Sequence, residues 1–277
     1  MTRFFSARDG LRLAAQEWPG DAHRVPLLCL PGITRSAADF APLAARLRGQ
    51  RRVIALDHVG HGASEKAPSL ARYRIEESLR DVLDTMAALH CGRAIILGTS
   101  YGGILAMVLG VLRPSAIAGV VLNDIGPAIE PVGLGHVENF VGRDPALPSL
   151  EACVAHLQVT MPPLTLDEAG WAQFAAGTYA PDAQGVWRPR WDTRIAEVMR
   201  GGPPMPDLWP AFAALGHAPM LLLRGALSEL LSEGTAFRMR RLRPEMGFVS
   251  VAETGHCPTL EEPEARAALE AFLAAQP

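Results

Sequence analysis

Short apolar runs alternate with amphipathic stretches along most of the chain. The runs at residues 27–30, 94–97 and 220–223 are too short for buried helices and predict buried strands. The same pattern predicts further strands at 52–56, 118–122 and 248–251, and helices at 39–47, 75–89, 101–112, 235–243 and 264–274. Strands that alternate with helices in this way predict an α/β fold, a parallel sheet with helices on both faces.

The chain starts with a different pattern. Residues 3–7 and 12–17 flank Asp9-Gly10, a favourable dipeptide for a hairpin turn. We therefore predict an antiparallel opening before the parallel strands.

The alternation stops after Asp124 and resumes near residue 210. Between residues 126 and 209 the chain is rich in proline, glycine and tryptophan, with helical spacing near 150–159 and 166–176 and no buried-strand run. We therefore predict a core domain formed by residues 1–125 and 210–277, and a helical cap (lid) formed by residues 126–209. The predicted cap covers the carboxyl edge of the sheet, where open α/β sheets bind ligands.

The composition is typical of a soluble globular protein with a large core. Of the 277 residues, 49% are hydrophobic and 20% are charged. The net charge of −3 and the lack of a long basic run argue against nucleic acid or an anionic membrane surface as a partner. No apolar stretch approaches the roughly 18–20 residues of a membrane-spanning helix, so we expect no membrane span. The oligomeric state is not predicted by any of these features.

The four cysteines, Cys29, Cys91, Cys153 and Cys257, are widely spaced and form no Cys-x-x-Cys pair. We expect reduced thiols. Together with the lack of an apolar signal core near the N-terminus, this favours a cytoplasmic location.

A serine lies at the apex of a glycine-flanked turn between a predicted strand and a predicted helix. The turn is Gly98-Thr99-Ser100-Tyr101-Gly102. Such a junction strains the serine backbone and exposes its hydroxyl above the sheet. Side chains at the two glycine positions would clash as strand and helix close on each other. We therefore predict that Ser100 is a nucleophile.

A serine nucleophile needs a base near neutral pH, usually a histidine, and the histidine needs a carboxylate that fixes its tautomer. Among the eight histidines, His256 is the predicted base, because it lies in the loop between the last predicted strand and the last predicted helix.

Two carboxylates are candidates for the acid that supports His256. Glu229 is the first carboxylate in the loop after the strand at 220–223, and Asp124 follows the strand at 118–122. A glutamate can replace an aspartate if the backbone retreats by about one methylene, roughly 1.5 Å. We favour Glu229 and keep Asp124 as the alternative, since an aspartate at that position can instead satisfy backbone amides where the chain enters the cap.

The tetrahedral intermediate of acyl transfer needs N–H donors aimed at its oxyanion. The predicted donors are the backbone N–H of Tyr101, which follows the serine, and that of Ile33, in the loop Pro31-Gly32-Ile33-Thr34-Arg35-Ser36. Arg35 in the same loop either binds a substrate carboxylate or braces the loop.

Two histidines, His58 and His61, are spaced three residues apart and suggest a metal site at first sight. No third cluster of ligands accompanies them in the sequence, and the glycines between and after them indicate a tight loop. We predict no metal site.

Four segments together resemble the α/β-hydrolase superfamily: Pro31-Gly32, Asp57-x-x-Gly60-x-Gly62-x-Ser64, Gly98-Thr99-Ser100-Tyr101-Gly102 and Gly255-His256. They occur in the family's order and spacing, and the resemblance covers essentially the whole chain. It implies an eight-stranded, mostly parallel sheet, a helical cap inserted after strand six, and a Ser–His–acid triad that needs no cofactor. The family's epoxide hydrolases and haloalkane dehalogenases have an aspartate in place of Ser100, so we expect neither activity.

The sequence thus predicts a serine hydrolase that cleaves a small carboxylic ester, thioester or lactone through an acyl-enzyme. The alternatives are a carbon–carbon bond hydrolase of ring-cleavage diketones, with Arg35 as a carboxylate anchor, and a ligand sensor with slow turnover. Aromatic residues of the cap indicate a small-molecule substrate with an apolar or aromatic group, and we predict substrate contacts for Trp187 and Trp209. The other cap aromatics, which fit a core of the cap equally well, are Trp171, Phe174, Tyr179 and Trp191.

Overall fold

The centre of the protein is an eight-stranded sheet. In the computed structural model, which describes residues 1–203 and 205–277, the strands are β1 (Thr2–Ser6), β2 (Arg12–Trp18), β3 (Leu27–Leu30), β4 (Val53–Asp57), β5 (Ala94–Thr99), β6 (Ile117–Asn123), β7 (Tyr179–Pro181), β8 (Trp187–Pro189), β9 (Met220–Gly225) and β10 (Gly247–Val251). β7 and β8 form a separate two-stranded sheet, and the order in the large sheet is β1-β2-β4-β3-β5-β6-β9-β10. Neighbours from β4 to β10 are parallel, so the predicted α/β fold is confirmed.

The edge of the sheet that contains the N-terminus is antiparallel, as predicted. β1 pairs with β2, and β2 pairs with β4, both in antiparallel register. Gly10 in the connecting turn has a φ of 88°, a conformation that costs glycine little. The sheet is therefore mostly parallel with one antiparallel edge.

The α-helices are α1 (Ala41–Arg46), α2 (Ile75–Ala88), α3 (Tyr101–Leu112), α4 (Pro131–Val141), α5 (Leu150–Thr160), α6 (Glu168–Thr178), α7 (Ile195–Gly201), α8 (Trp209–Ala214), α9 (Glu233–Leu242) and α10 (Pro263–Ala274). In the described part of the chain each is too short to cross a membrane as an apolar segment.

Successive residues of the central strands face two separate cores. Leu28 and Ile96 pack in a cluster with residues of α2, α3, α8 and α9. Leu27 and Ile95 belong to a second cluster, with residues of α1 and α10. Both sheet faces are therefore covered by helices, which is why the central strands are apolar at every position rather than at alternate ones.

The insertion between β6 and β9 contains α4 to α8 and the β7–β8 hairpin. α5 and α6 match the predicted helical spacing. The hairpin was not expected, because its strands are three residues long and β8 is only partly buried, so no apolar run marks it. The division into a core domain and a cap domain stays a prediction.

Backbone hydrogen bonds attach the insertion to the loop that follows β4. The N–H of Gly62 donates to Arg190 O at 2.8 Å, and the N–H of Asp192 donates to Gly60 O at 2.9 Å. Trp191, between Arg190 and Asp192, is 1% exposed. Residues 190–192 are thus hydrogen-bonded to the loop that follows β4.

All four cysteines are free thiols, as predicted. Cys29, Cys91 and Cys153 are buried, and burial raises the pKa of each thiol.

Candidate active site

The glycine-flanked turn at Ser100 connects β5 to α3 and is strained, as predicted. Ser100 has φ 51° and ψ −114°, a region that residues with a side chain rarely adopt. A Cβ on Gly98 would lie 2.5 Å from the backbone of Gly102, and one on Gly102 would lie 2.0 Å from Leu30 O. Strand and helix therefore pack so closely that only glycine fits on either side of the serine.

The strain at Ser100 predicts that glycine there gives a more stable protein than alanine. Both Ser100→Gly and Ser100→Ala remove the hydroxyl, but only glycine relieves the positive φ. We expect Ser100→Gly to have the larger free energy of unfolding, by about 1 kcal/mol after the entropic cost of glycine. Urea denaturation measures the difference.

Exposed Ser250 in β10 offers a matched control, because its backbone is ordinary extended strand. Here Ser250→Gly should be less stable than Ser250→Ala. The same order of stability at both positions would contradict the assignment of strain to Ser100.

His256 lies between the serine and a buried carboxylate. Its Nε2 is 2.9 Å from Ser100 Oγ, and its Nδ1 is 2.7 Å from Asp124 Oδ2. The three side chains come from the end of β5, the end of β6 and the loop after β10, all at the carboxyl edge of the sheet. The serine–histidine pair expected from the sequence is brought together, and the carboxylate that joins it is Asp124.

Asp124 is 0% exposed and has a full set of partners. Its Oδ1 accepts from the N–H of Gly225 at 2.8 Å, and its Oδ2 accepts from Ser228 Oγ at 2.6 Å as well as facing His256. These hydrogen bonds fix the orientation of the buried carboxylate. Asp124 is therefore held in a position from which its carboxylate can orient the imidazole of His256.

The preference for Glu229 over Asp124 is wrong. Glu229 Oε2 lies 2.9 Å from His136 Nδ1 in α4, and its side chain is 58% exposed. In this loop Ser228, one position before Glu229, is the residue that faces Asp124. The side chain of Glu229 therefore points toward α4 of the insertion. Gly133 of α4 packs against the Glu229 backbone, since a Cβ there would lie 2.4 Å from Glu229 O.

The predicted oxyanion donors lie next to the serine. Tyr101 is the first residue of α3, where N–H groups have no intrahelical acceptor. Ile33 lies in a turn closed by the hydrogen bond from Arg35 N to Gly32 O at 3.0 Å. A Cβ on Gly32 would lie 3.6 Å from Ser100 Cβ, so this turn passes directly over the serine.

Two buried histidines hold the Ile33 turn in place. His58 Nε2 lies 3.1 Å from Pro31 O, and His61 Nε2 lies 2.6 Å from Ile33 O. Burial lowers the pKa of His58 to about 3 and lowers the pKa of His61 as well, so both imidazoles are neutral near pH 7. His58 thus contacts one carbonyl of the turn, and the single N–H of neutral His61 donates either to Ile33 O or to Val59 O, which lies 2.9 Å from its Nδ1.

Arg35 braces the same turn against the insertion. Its Nε and Nη2 each lie 2.6 Å from an oxygen of Asp39, its Nη1 donates to Thr178 Oγ1, and its guanidinium stacks 3.8 Å from the centre of the Phe174 ring. Of the two roles predicted for Arg35, bracing is the one that these contacts support. A salt-bridged guanidinium has little capacity left for a substrate carboxylate.

A cavity of about 910 Å³ opens above Ser100 and His256. Its walls come from the Ile33 turn, the loop after β10, and α4 and α6 of the insertion. Apolar lining residues include Ile33, Val137, Phe140, Met161, Leu166 and Phe174. A pocket of this kind suits a small organic molecule with an apolar part.

The predicted substrate contacts of Trp187 and Trp209 are wrong, because neither residue lines this cavity. Trp187 packs in the apolar cluster of the insertion, and Trp209 packs on Phe212 beneath the guanidinium of Arg238. Both aromatics are used for packing instead, Trp187 in that cluster and Trp209 against the core cluster that contains residues of α3 and α9. Among the cap aromatics named from the sequence, Phe174 is the one that faces the cavity.

Comparison with known proteins agrees with this architecture. The family model described as "Alpha/beta hydrolase family" matches residues 27–269. The 3-hydroxybutyrate-oligomer hydrolase of Cupriavidus necator is 29% identical over 265 residues, covering 91% of this chain and 89% of that protein. The 2-(acetamidomethylene)succinate hydrolase of Mesorhizobium japonicum is 29% identical over 239 residues, covering 86% of this chain and 84% of that protein.

Among solved structures, an alpha/beta hydrolase from Novosphingobium aromaticivorans DSM 12444 superposes with a TM-score of 0.94 and 36% identity. The match covers 99% of this chain and 98% of the other. Since the family model extends from β3 into α10 and so includes the serine turn, the insertion and the histidine loop, the chain belongs to the alpha/beta hydrolase family.

Proposed function

We propose that the protein is a serine hydrolase that cleaves small carboxylic esters, with Ser100 as nucleophile, His256 as general base and Asp124 as the acid. The observation that carries the proposal is the continuous hydrogen-bonded chain from Ser100 Oγ through both nitrogens of His256 to Asp124. A relative named as a hydrolase of 3-hydroxybutyrate oligomers supports an ester substrate, because hydroxy acids can join to one another through ester bonds.

In the proposed reaction, Ser100 Oγ attacks the ester carbonyl while His256 Nε2 takes the hydroxyl proton. The N–H groups of Ile33 and Tyr101 donate to the oxyanion of the tetrahedral intermediate. His256 then gives the proton to the departing alcohol, leaving an acyl group on Ser100. Water, deprotonated by the same histidine, releases the acid and restores the serine. Asp124 stabilises the imidazolium in both steps.

The ion pair between Arg35 and Asp39 argues against the alternative function, a carbon–carbon bond hydrolase. That alternative used Arg35 to anchor the carboxylate of a ring-cleavage diketone. Because Asp39 occupies the guanidinium, the alternative loses the residue that suggested it. Ester hydrolysis needs no such anchor and remains the proposal.

A fluorophosphonate probe tests the nucleophile. We expect stoichiometric labelling of the wild-type protein and none of Ser100→Ala, because the probe reacts with activated serines. Intact-protein mass spectrometry gives the extent of labelling. Labelling of Ser100→Ala to the wild-type extent would overturn the assignment.

Steady-state turnover of short ethyl esters completes this test. Labelling with turnover far below about 1 s⁻¹ on every ester would favour the ligand sensor over the enzyme.

A further inference from the structure

Arg190 is a cation in the cavity wall that the proposed mechanism does not use. It follows β8 in the insertion and lines the same cavity as Ser100 and His256. Within residues 1–203 and 205–277, its Nε is buried and donates no hydrogen bond, and no carboxylate forms an ion pair with its guanidinium. A buried donor without an acceptor costs free energy, and the cost is larger when the group is charged.

The other charged side chains around the cavity are paired within the protein. Hydrogen-bonded pairs join Arg35 to Asp39, His136 to Glu229, and Glu261 to Arg46. Asp167 accepts from the N–H of Gly170 at the start of α6. Among the described residues that line the cavity, Arg190 is therefore the one arginine whose side-chain N–H groups have no acceptor in the protein and could bind a ligand.

The backbone of Arg190 is held from both sides. Its N–H donates to Thr178 O at 3.0 Å, and its carbonyl accepts from the N–H of Gly62 at 2.8 Å. The base of the side chain is thus fixed to α6 and to the loop after β4. An arginine anchored in this way loses less conformational entropy when it binds a ligand than one on a mobile loop.

We propose that Arg190 binds a carboxylate of the substrate, which makes the preferred substrates esters that carry a free carboxylate besides the scissile bond. Half-esters of dicarboxylic acids and esters between hydroxy acids have this chemistry. The planar fork of a guanidinium matches a carboxylate with two parallel hydrogen bonds. This substrate class rests on the proposed ester hydrolysis, whereas carboxylate binding by Arg190 does not.

A structural role for Arg190 makes a different prediction. Burial raises the pKa of Asp57, and the charge of Arg190 is among the causes that oppose this shift. The carboxylate oxygens of Asp57 already accept from the N–H groups of Ala37 and Ala63. If Arg190 only stabilised Asp57, its loss would affect every substrate equally.

A pair of esters separates the two roles. We expect Arg190→Gln to lower kcat/KM for monoethyl glutarate by about ten- to a hundredfold, the range for a lost charged hydrogen bond, and to leave ethyl pentanoate within about threefold. Arg188→Gln is the matched control, because exposed Arg188 pairs with Asp144 and Asp182 away from the cavity. It should change neither ester. An equal fall for both esters, or no fall for either, would overturn the proposal.

A binding measurement makes the inference independent of catalysis. We expect glutarate to bind the Ser100→Ala protein in calorimetry, and the Ser100→Ala/Arg190→Gln protein at least about tenfold more weakly. Equal affinities, or no binding to Ser100→Ala, would refute carboxylate binding even if the ester proposal holds. Failed fluorophosphonate labelling with intact glutarate binding would refute the ester proposal alone.

Discussion

Replacing Asp124 by asparagine is expected to lower kcat for ester hydrolysis by about 10⁴-fold, while Glu229→Gln leaves kcat within about threefold. Asparagine keeps the shape of Asp124 but removes its charge. The partly buried imidazolium formed in the reaction then has no counter-charge at Nδ1. The amide can also present its NH₂ to His256, which stabilises the tautomer that cannot take a proton from Ser100.

Glu229→Gln is the matched comparison because it makes the same chemical change at the other candidate acid. In the described residues, the Glu229 side chain has one hydrogen-bond partner, His136. The Glu229 side chain is 58% exposed. Initial rates with a short ethyl ester, followed by pH-stat, give kcat for both variants. Thermal unfolding should show that each is folded. A larger loss for Glu229→Gln than for Asp124→Asn would mean that the acid in solution is Glu229.

Replacing Gly102 by alanine is expected to lower the free energy of unfolding by at least about 3 kcal/mol. The new Cβ would lie 2.0 Å from Leu30 O and 2.5 Å from Leu30 C. Both are backbone atoms of a central strand buried on both faces, so no side-chain rotation relieves the overlap. Either β3 and α3 separate, which opens the core, or the turn at Ser100 deforms.

Gly135→Ala in α4 is the control for Gly102→Ala. No atom lies within 4 Å of a Cβ there, and the residue is helical. Alanine at this position should be neutral or stabilising by up to about 1 kcal/mol. Urea denaturation measures both variants. A Gly102→Ala protein within about 1 kcal/mol of wild type would show that β3 and α3 are not as closely packed as described.

The sheet and the serine turn could be predicted because each has a local pattern, whereas His256 was chosen by its place between the last predicted strand and the last predicted helix. The runs around Leu27 and Ile95 are apolar at every position, as strands buried on both faces must be. Ser100 is marked by its flanking glycines, which close packing demands. These features depend on the few residues nearest to them along the chain.

The carboxylate that contacts His256 could not be chosen from local pattern, because Asp124 and Glu229 both follow strands at the same sheet edge. The choice depends on which backbone register turns a carboxylate toward His256, and that register comes from packing in three dimensions. Ser228 faces the site and Glu229 faces α4. A hydroxyl at the expected acid position was the available sign that the carboxylate comes from elsewhere.

The residues that line the cavity could not be predicted from the sequence either. Trp187 and Trp209 are prominent by size, yet both pack in apolar clusters and neither lines the cavity. Arg190 lies two positions after Arg188, and no local feature of the sequence distinguishes the two arginines. The difference between them, a surface ion pair for Arg188 and an unpaired buried Nε for Arg190, appears only when the chain is folded.

The position of Asp124 has a consequence for sorting related proteins into active and inactive ones. A search that requires an acidic residue after the penultimate strand of the large sheet would find Ser228 there and class this chain as a degenerate relative. β6 and β9 are hydrogen-bonded neighbours, with Asn123 paired to Leu223. A carboxylate after either strand can therefore reach the same imidazole, and chains should be judged inactive only when both strand ends lack one.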